Sequence, residues 1–228
     1  MEFQLFASNA APDAAVIQTG FNFPQSLTVK YQPRKFADFV GMEKQRRILT
    51  NFAANPYPTS FLFVGPTGTG KTTMGMALAL AIPAEVHHIP SQECNVDNVE
   101  RACYSCHFVP MSGFKMHLIL VDEADKMSAA AQTAFLSRLD ATNFPPNTVF
   151  VFTCNRTDGL EDRFLHRSKV LEFSTYGLAG PAADLLARVW QYEAPEGAPA
   201  PNFARILKDS NNNVRESLQR LETELLAA

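Results

Sequence analysis

Gly65-Pro66-Thr67-Gly68-Thr69-Gly70-Lys71-Thr72 is a full match to G-x-x-x-x-G-K-[ST], the pattern of a phosphate-binding loop. Its glycines let the backbone curl so that successive N–H groups point inward at phosphate oxygens. Lys71 offers a mobile cation to the β- and γ-phosphates, and the Thr72 hydroxyl can ligand Mg²⁺. The flanks agree with this reading. Ser60-Phe61-Leu62-Phe63-Val64 is a short apolar run fit for a buried strand, and Thr73 to Ile82 is rich in Ala, Leu and Met, as a helix would be. The helix N-terminus would face the phosphates and add a favourable dipole. Strand, loop and helix together predict a nucleoside triphosphate site.

The chain has 228 residues, 46% hydrophobic and 19% charged, enough for one sizeable core with a small appended unit. No run of about 18 apolar residues is present, so no membrane-spanning helix is expected. Residues 1–25 carry no Lys or Arg, unlike the start of a secretory signal, and a cytoplasmic location is expected. A net charge of −3 argues against a general polyanion binder. A local basic track remains, because residues 30–47 hold six basic residues against Asp38 and Glu43.

The spacing Cys103-Tyr104-Ser105-Cys106-His107, with Cys94 upstream, invites a zinc reading. It lacks the second paired cluster of most structural zinc sites. The favoured reading is one helix from Val96 to Val109, with Cys103 and Cys106 one turn apart and packing as small apolar residues.

Residues 1–25 read as an N-terminal extension. From 26 to 174, strand-like runs alternate with helical patterns, which predicts an α/β sheet with helices on both faces. The five strand candidates are Phe61–Val64, Glu85–Ile89, His117–Val121, Val149–Cys154 and Val170–Phe173. Ser128 to Ala141 reads as a helix with Ser128 as its N-cap. From 175 to 228 the pattern is purely helical and predicts a small three-helix domain.

The third strand runs into Asp122-Glu123-Ala124-Asp125. Asp122 at its end can hold Mg²⁺, and Glu123 can orient and deprotonate an attacking water. That adjacent glutamate favours hydrolysis over phosphoryl transfer to a small molecule. The fourth strand ends in Asn155, whose neutral amide can hold the lytic water or touch the γ-phosphate.

The order of these parts, continued by Arg167 and by Arg215 in the helical region, resembles the AAA+ ATPase layout. Lys30-Tyr31-Gln32-Pro33-Arg34-Lys35-Phe36-Ala37-Asp38-Phe39-Val40-Gly41 is similar to the opening of sliding-clamp-loader (replication factor C-like) small subunits. Asp122-Glu123-Ala124-Asp125 with Ala131-Gln132 resembles that family's Walker B region. His166-Arg167-Ser168 falls where the family has Ser-Arg-Cys. Asn213-Val214-Arg215-Glu216-Ser217-Leu218 resembles its sensor 2 helix. The resemblance spans about residues 28–224.

The resemblance implies a P-loop AAA+ fold, a five-stranded parallel sheet with helices on both faces followed by a three-helix lid. It implies ATP and Mg²⁺ as ligands, with hydrolysis at subunit interfaces. Arg167 would be the arginine finger reaching a neighbour's γ-phosphate, with Arg163 as the alternative, and Asn155 and Arg215 would be sensors 1 and 2. Val40 and Gly41 would line the adenine pocket, with Tyr31 and Pro33 nearby. Implied partners are primer–template DNA, contacted through the segment from Gln92 to Asn98, and a sliding clamp. Five subunits would be held by a helical collar. The sequence as read ends at Ala228, just after the sensor 2 helix, so a homo-oligomer held by ATPase contacts or a hetero-oligomer with a collar-bearing subunit is expected. The readings held beside this one are a filament-forming transposition or remodelling ATPase, a non-hydrolysing structural subunit, and a small-molecule kinase, which would not need Arg215 on a helical lid.

Overall fold

Phe150 and Phe152 pack to one side of a fully buried strand, and Val149 and Val151 pack to the other. An apolar run buried on both faces is what a parallel sheet covered by helices requires. In the computed structural model, which describes residues 24–110 and 113–228, that strand is β4 (Thr148–Cys154). It lies in a sheet with β1 (Thr59–Val64), β2 (Ala84–Ile89), β3 (Met116–Val121) and β5 (Lys169–Glu172). All pairs are parallel, in the order β2-β3-β4-β1-β5. Most of the expected N-terminal extension lies outside the described residues.

One face of the sheet is covered by α2 (Glu43–Ala54) and α3 (Lys71–Ala81), over Phe61, Phe63, Leu118 and Leu120. The other is covered by α4 (Val96–Ser105), α5 (Ala129–Arg138) and α6 (Asp162–His166), over Ile119, Val121, Phe150 and Phe152. Phe135 and Phe164 stand edge-on to the Phe152 ring, at 5.0 and 4.6 Å between centroids. Such pairs add about 0.5–1.5 kcal/mol to the burial of the rings.

Two helices are shorter than their patterns predict. α4 stops at Ser105, not Val109, because Pro110 disfavours a helical Val109. α5 stops at Arg138, where the Asp140 carboxylate turns back to accept the Thr142 N–H (3.2 Å) and hydroxyl (2.8 Å). Its start is as expected, with Ser128 Oγ accepting from the Ala131 N–H at 3.2 Å.

Beyond the sheet, α7 (Ala179–Glu193), α8 (Phe203–Asp209) and α9 (Val214–Ala227) share an apolar cluster built on Leu186, Val189, Trp190, Leu207, Leu218 and Leu221. Asn202 and Asn213 cap α8 and α9 through their side-chain oxygens. The short α1 (Leu27–Lys30) joins this cluster, not the sheet. Leu27 is buried in it, and its N–H donates to Glu222 Oε1 at 3.0 Å. Glu193 at the end of α7 accepts from Lys30 and Tyr31. The segment that precedes α2 is thereby clasped to the helices that follow the last strand.

Candidate active site

Because every strand runs the same way, the carboxyl ends of β1, β4 and β3 deliver the loop, Asn155 and Asp122 to one edge. Ligand crevices of open α/β sheets lie at such an edge. Gly65 opens the loop at φ 155°, and a Cβ there would stand 2.1 Å from the Phe173 carbonyl oxygen, so no side chain fits. Gly68, at φ 79°, would set a Cβ 2.3 Å from Asn213 Oδ1. The loop is thus pressed between β5 and the start of α9. Gly70, also left-handed, precedes α3, whose first-turn N–H groups lack intrahelical acceptors and face the loop.

Lys71 is nearly buried and donates to the Gly65 carbonyl at 2.6 Å, the Pro66 carbonyl at 2.9 Å and Asn155 Oδ1 at 3.1 Å. Burial, foremost, lowers its pKa; Cys154, Asp125 and Asp122 oppose this, and Arg215 adds to the lowering. Thr67 Oγ1 also donates to Asn155 Oδ1 (3.2 Å), and Thr69 Oγ1 to the Pro66 carbonyl (2.8 Å). The Asn155 amide oxygen is therefore shared between loop and lysine.

On the next strand, Asp122 Oδ1 accepts from Thr72 Oγ1 at 2.6 Å and Thr153 Oγ1 at 3.0 Å. Its Oδ2 lies 2.7 Å from His88 Nε2. Glu123 follows in the left-handed region, φ 52°, where a non-glycine residue is strained by roughly 1–2 kcal/mol. Its N–H donates to Thr153 Oγ1 at 3.2 Å, and its carboxylate holds Lys126 Nζ at 2.6 Å. A strained residue kept by its surroundings beside a charged cleft is where catalytic groups concentrate.

Two adjoining hollows open from this edge. Lys71, Thr72, Asp122, Glu123, Asn155, Thr67, Gly68 and Gly70 surround the first. The second, a cavity of about 280 Å³, is walled by Tyr31, Pro33 and Val40, with Thr69 and Thr73 at the loop end. Phe39, Leu178, Leu185 and Leu218 supply its apolar surface. Arg215, from α9, lines both. Gly41 is not in the cavity wall; it lies behind Leu178, whose Cδ2 would be 2.3 Å from a Cβ there. Gly65 and Pro66 likewise face Lys71 through their carbonyls and wall neither hollow.

Arg167 lines neither hollow. Its guanidinium donates to the Leu136 carbonyl at 2.5 Å and to Asp140 Oδ2 at 3.3 Å, with the side chain 37% exposed. Arg163 pairs instead with Glu161 at 2.6 Å.

Three groups in the site escaped the sequence reading. Asn213 Nδ2 donates to the Thr67 carbonyl at 3.0 Å while its Oδ1 caps α9. His88 and Thr153 flank Asp122 from the strands on either side of β3. A hint for Asn213 was present in its position two residues before Arg215; His88 gave none without the strand order.

The family model described as "ATPase family associated with various cellular activities (AAA)" matches residues 61–176, just over half of the chain. The chain belongs to the AAA ATPase family. It is similar to replication factor C small subunit 2 of Pyrobaculum aerophilum, 28% identical over 85% of this chain and 61% of that protein. Replication factor C small subunit 1 of Pyrobaculum islandicum is 32% identical over 64% of this chain and 46% of its own length. The chain spans about three fifths or less of these relatives. Among solved structures, the RuvB Holliday junction branch migration motor of Thermotoga maritima superposes with a TM-score of 0.69 at 17% identity. That match covers 84% of this chain and 64% of that one, a likeness of fold. No helix of the described residues is long and apolar enough to cross a membrane.

Proposed function

We propose that this chain is an ATP-hydrolysing subunit of a clamp-loader-type assembly acting on DNA in replication. The observation that carries the reading is the convergence of Lys71, Thr72, Asp122 and Asn155 on one strand edge, with Glu123 on the strained turn beside them. The relatives named replication factor C small subunit support the replication context.

The residues fit ATP with Mg²⁺. The cradle at Gly65 and Gly68 excludes side chains, and Thr72 Oγ1 and Asp122 Oδ1 are hard oxygen donors of the kind Mg²⁺ prefers. Thr72 and Asp122 would hold the ion, which when bound neutralises charge on the phosphate oxygens. Lys71 would exchange its loop carbonyls for phosphate oxygens. Asn155, released by Lys71, positions water by its amide, and Glu123 accepts the proton that water gives up. The adenine ring is placed in the apolar cavity of Tyr31, Val40, Phe39 and Leu185, with Arg215 reporting the phosphates to α9 and thereby to the lid helices.

Arg167, whose guanidinium is held at the carboxyl end of α5 by the Leu136 carbonyl and Asp140, would be the finger completing a neighbouring subunit's site, an effect of about 10³–10⁵ in rate in related phosphoryl-transfer systems. The partners are primer–template DNA, met by the segment from Gln92 to Asn98, a sliding clamp, and further subunits, either copies of this chain or a collar-bearing one. ATP turnover measured with and without primer–template DNA and clamp tests the reading. Stimulation by DNA is expected; turnover that ignores DNA in every combination speaks for another AAA ATPase task.

A further inference from the structure

On the face of the sheet covered by α4, away from the nucleotide edge, three soft or borderline donors converge. His87 on β2, His117 on β3 and Cys106 just beyond α4 bring their ligand atoms within 4.8 Å of one another. His87 Nε2 lies 3.0 Å from His117 Nδ1, and Glu85 Oε2 lies 3.8 Å from that same Nδ1. The parallel register explains the meeting. Glu85 pairs with His117 across β2 and β3, and Glu85 and His87, two residues apart, share a face.

Tautomer chemistry sharpens the geometry. His117 Nε2 is 2.9 Å from the Phe108 carbonyl, which can only accept, so Nε2 carries the hydrogen. In the neutral ring Nδ1 is then a bare lone pair aimed into the cluster. A histidine whose outer N–H is fixed on a backbone carbonyl while its other nitrogen points inward is the arrangement typical of a metal ligand. Burial, then the neighbouring His117, lowers the pKa of His87, which favours the neutral, ligating form. Burial holds the Cys106 thiol at about 11, so without a cation it stays protonated.

We propose that His87, His117 and Cys106 hold a structural zinc ion tying the end of α4 to the edge strand β2, with the nearby Glu85 carboxylate turning in as the fourth ligand. One thiolate, two imidazoles and one carboxylate are a tetrahedral Zn²⁺ donor set, and sulfur disfavours Mg²⁺ or Ca²⁺. Ion–ligand bonds of about 2.0–2.3 Å need donors some 3–4 Å apart, a small contraction of the spacing among the His87, His117 and Cys106 atoms. Binding deprotonates Cys106, and that proton leaves to solvent through the half-exposed Glu85 and His87 side of the site. The ligands differ from the Cys94, Cys103, Cys106 and His107 set that spacing alone would nominate: all three cysteines are buried in the apolar cluster under α4, and Cys106 is the one whose sulfur meets the two histidines.

The test is cobalt substitution in the full-length, tag-free protein after chelator dialysis. One equivalent of Co²⁺ should saturate a near-ultraviolet thiolate-to-cobalt charge-transfer band with strong tetrahedral visible absorption, and Zn²⁺ should bleach both. Cys106→Ser should abolish the charge-transfer band, whereas Cys94→Ser should keep it. His87→Gln, a change at the half-buried edge strand, should weaken Co²⁺ binding at least about tenfold. No band in the wild type overturns the proposal, because the histidine pair is then only hydrogen-bonded. A band that survives Cys106→Ser, or unchanged affinity in folded His87→Gln, overturns the ligand assignment.

Discussion

Asn213 Nδ2 donates to the Thr67 carbonyl at 3.0 Å across 146 residues of chain, so the residue that caps α9 also grips the phosphate-binding loop. The same amide fills the space over Gly68 where a Cβ would otherwise sit. One side chain therefore ties the start of α9 to the shape of the loop. Asn213→Asp should keep the cap, because the carboxylate still accepts the Glu216 N–H. It replaces the donor with an oxygen facing an oxygen, and ATP affinity should fall roughly two- to tenfold, the worth of one net hydrogen bond. Isothermal titration beside a thermal melt checks this: a lowered melting temperature with unchanged affinity would make Asn213 only a cap.

Glu123 is expected to carry turnover but not binding. Glu123→Gln should lower ATP hydrolysis at least about 100-fold with little change in nucleotide affinity. Its partner Lys126 is 60% exposed, and such pairs are worth about 0–1 kcal/mol, so the ion pair opens readily. Lys126→Ala should accordingly change turnover less than about fivefold. A collapse of turnover in Lys126→Ala would mean that the lysine, not the glutamate, meets the reacting groups.

The lowered pKa of Lys71 gives a signed pH dependence. The unfolded chain keeps this proton up to the ordinary value of 10.5, while the folded protein releases it earlier. Between those values the unfolded state binds more protons, so this group's contribution to stability rises with pH. ATP needs the cation, so affinity should fall over the same window. Titrations across alkaline pH check it, and affinity that holds level to pH 10.5 would show that the cation is not needed.

His88 is expected to position Asp122 for the metal. His88→Ala should raise the Mg²⁺ concentration needed for half-maximal turnover while leaving metal-free nucleotide affinity unchanged, and His88→Gln should restore part of the loss. An unaltered Mg²⁺ profile in His88→Ala would reduce the contact to a surface ion pair.

Much of this site is local in the chain, which is why it is legible there. The loop at Gly65–Thr72, the run into Asp122-Glu123 and the strand ending at Asn155 each pair a short apolar strand with its polar terminus. Alternation of Phe150 and Phe152 with Val149 and Val151 carries the two-faced sheet. What depends on strand order or lid angle is not local. His88 meets Asp122 only because β2 lies beside β3, His87 meets His117 through the same pairing, and Asn213 meets Thr67 only when α9 docks. The resemblance implies Gly41 in the cavity wall beside Val40, but Leu178, which packs over it, lines the cavity there.

The central claim is that the site is completed by Arg167 of another subunit, and mixing inactive variants tests it most directly. Lys71→Ala and Arg167→Ala should each lack ATP turnover alone, while their mixture with primer–template DNA should recover a fraction that peaks near equal amounts. That recovery would come from interfaces pairing an intact Lys71 with an intact Arg167. Wild-type turnover by Arg167→Ala alone, or no recovery at any ratio, would contradict the account.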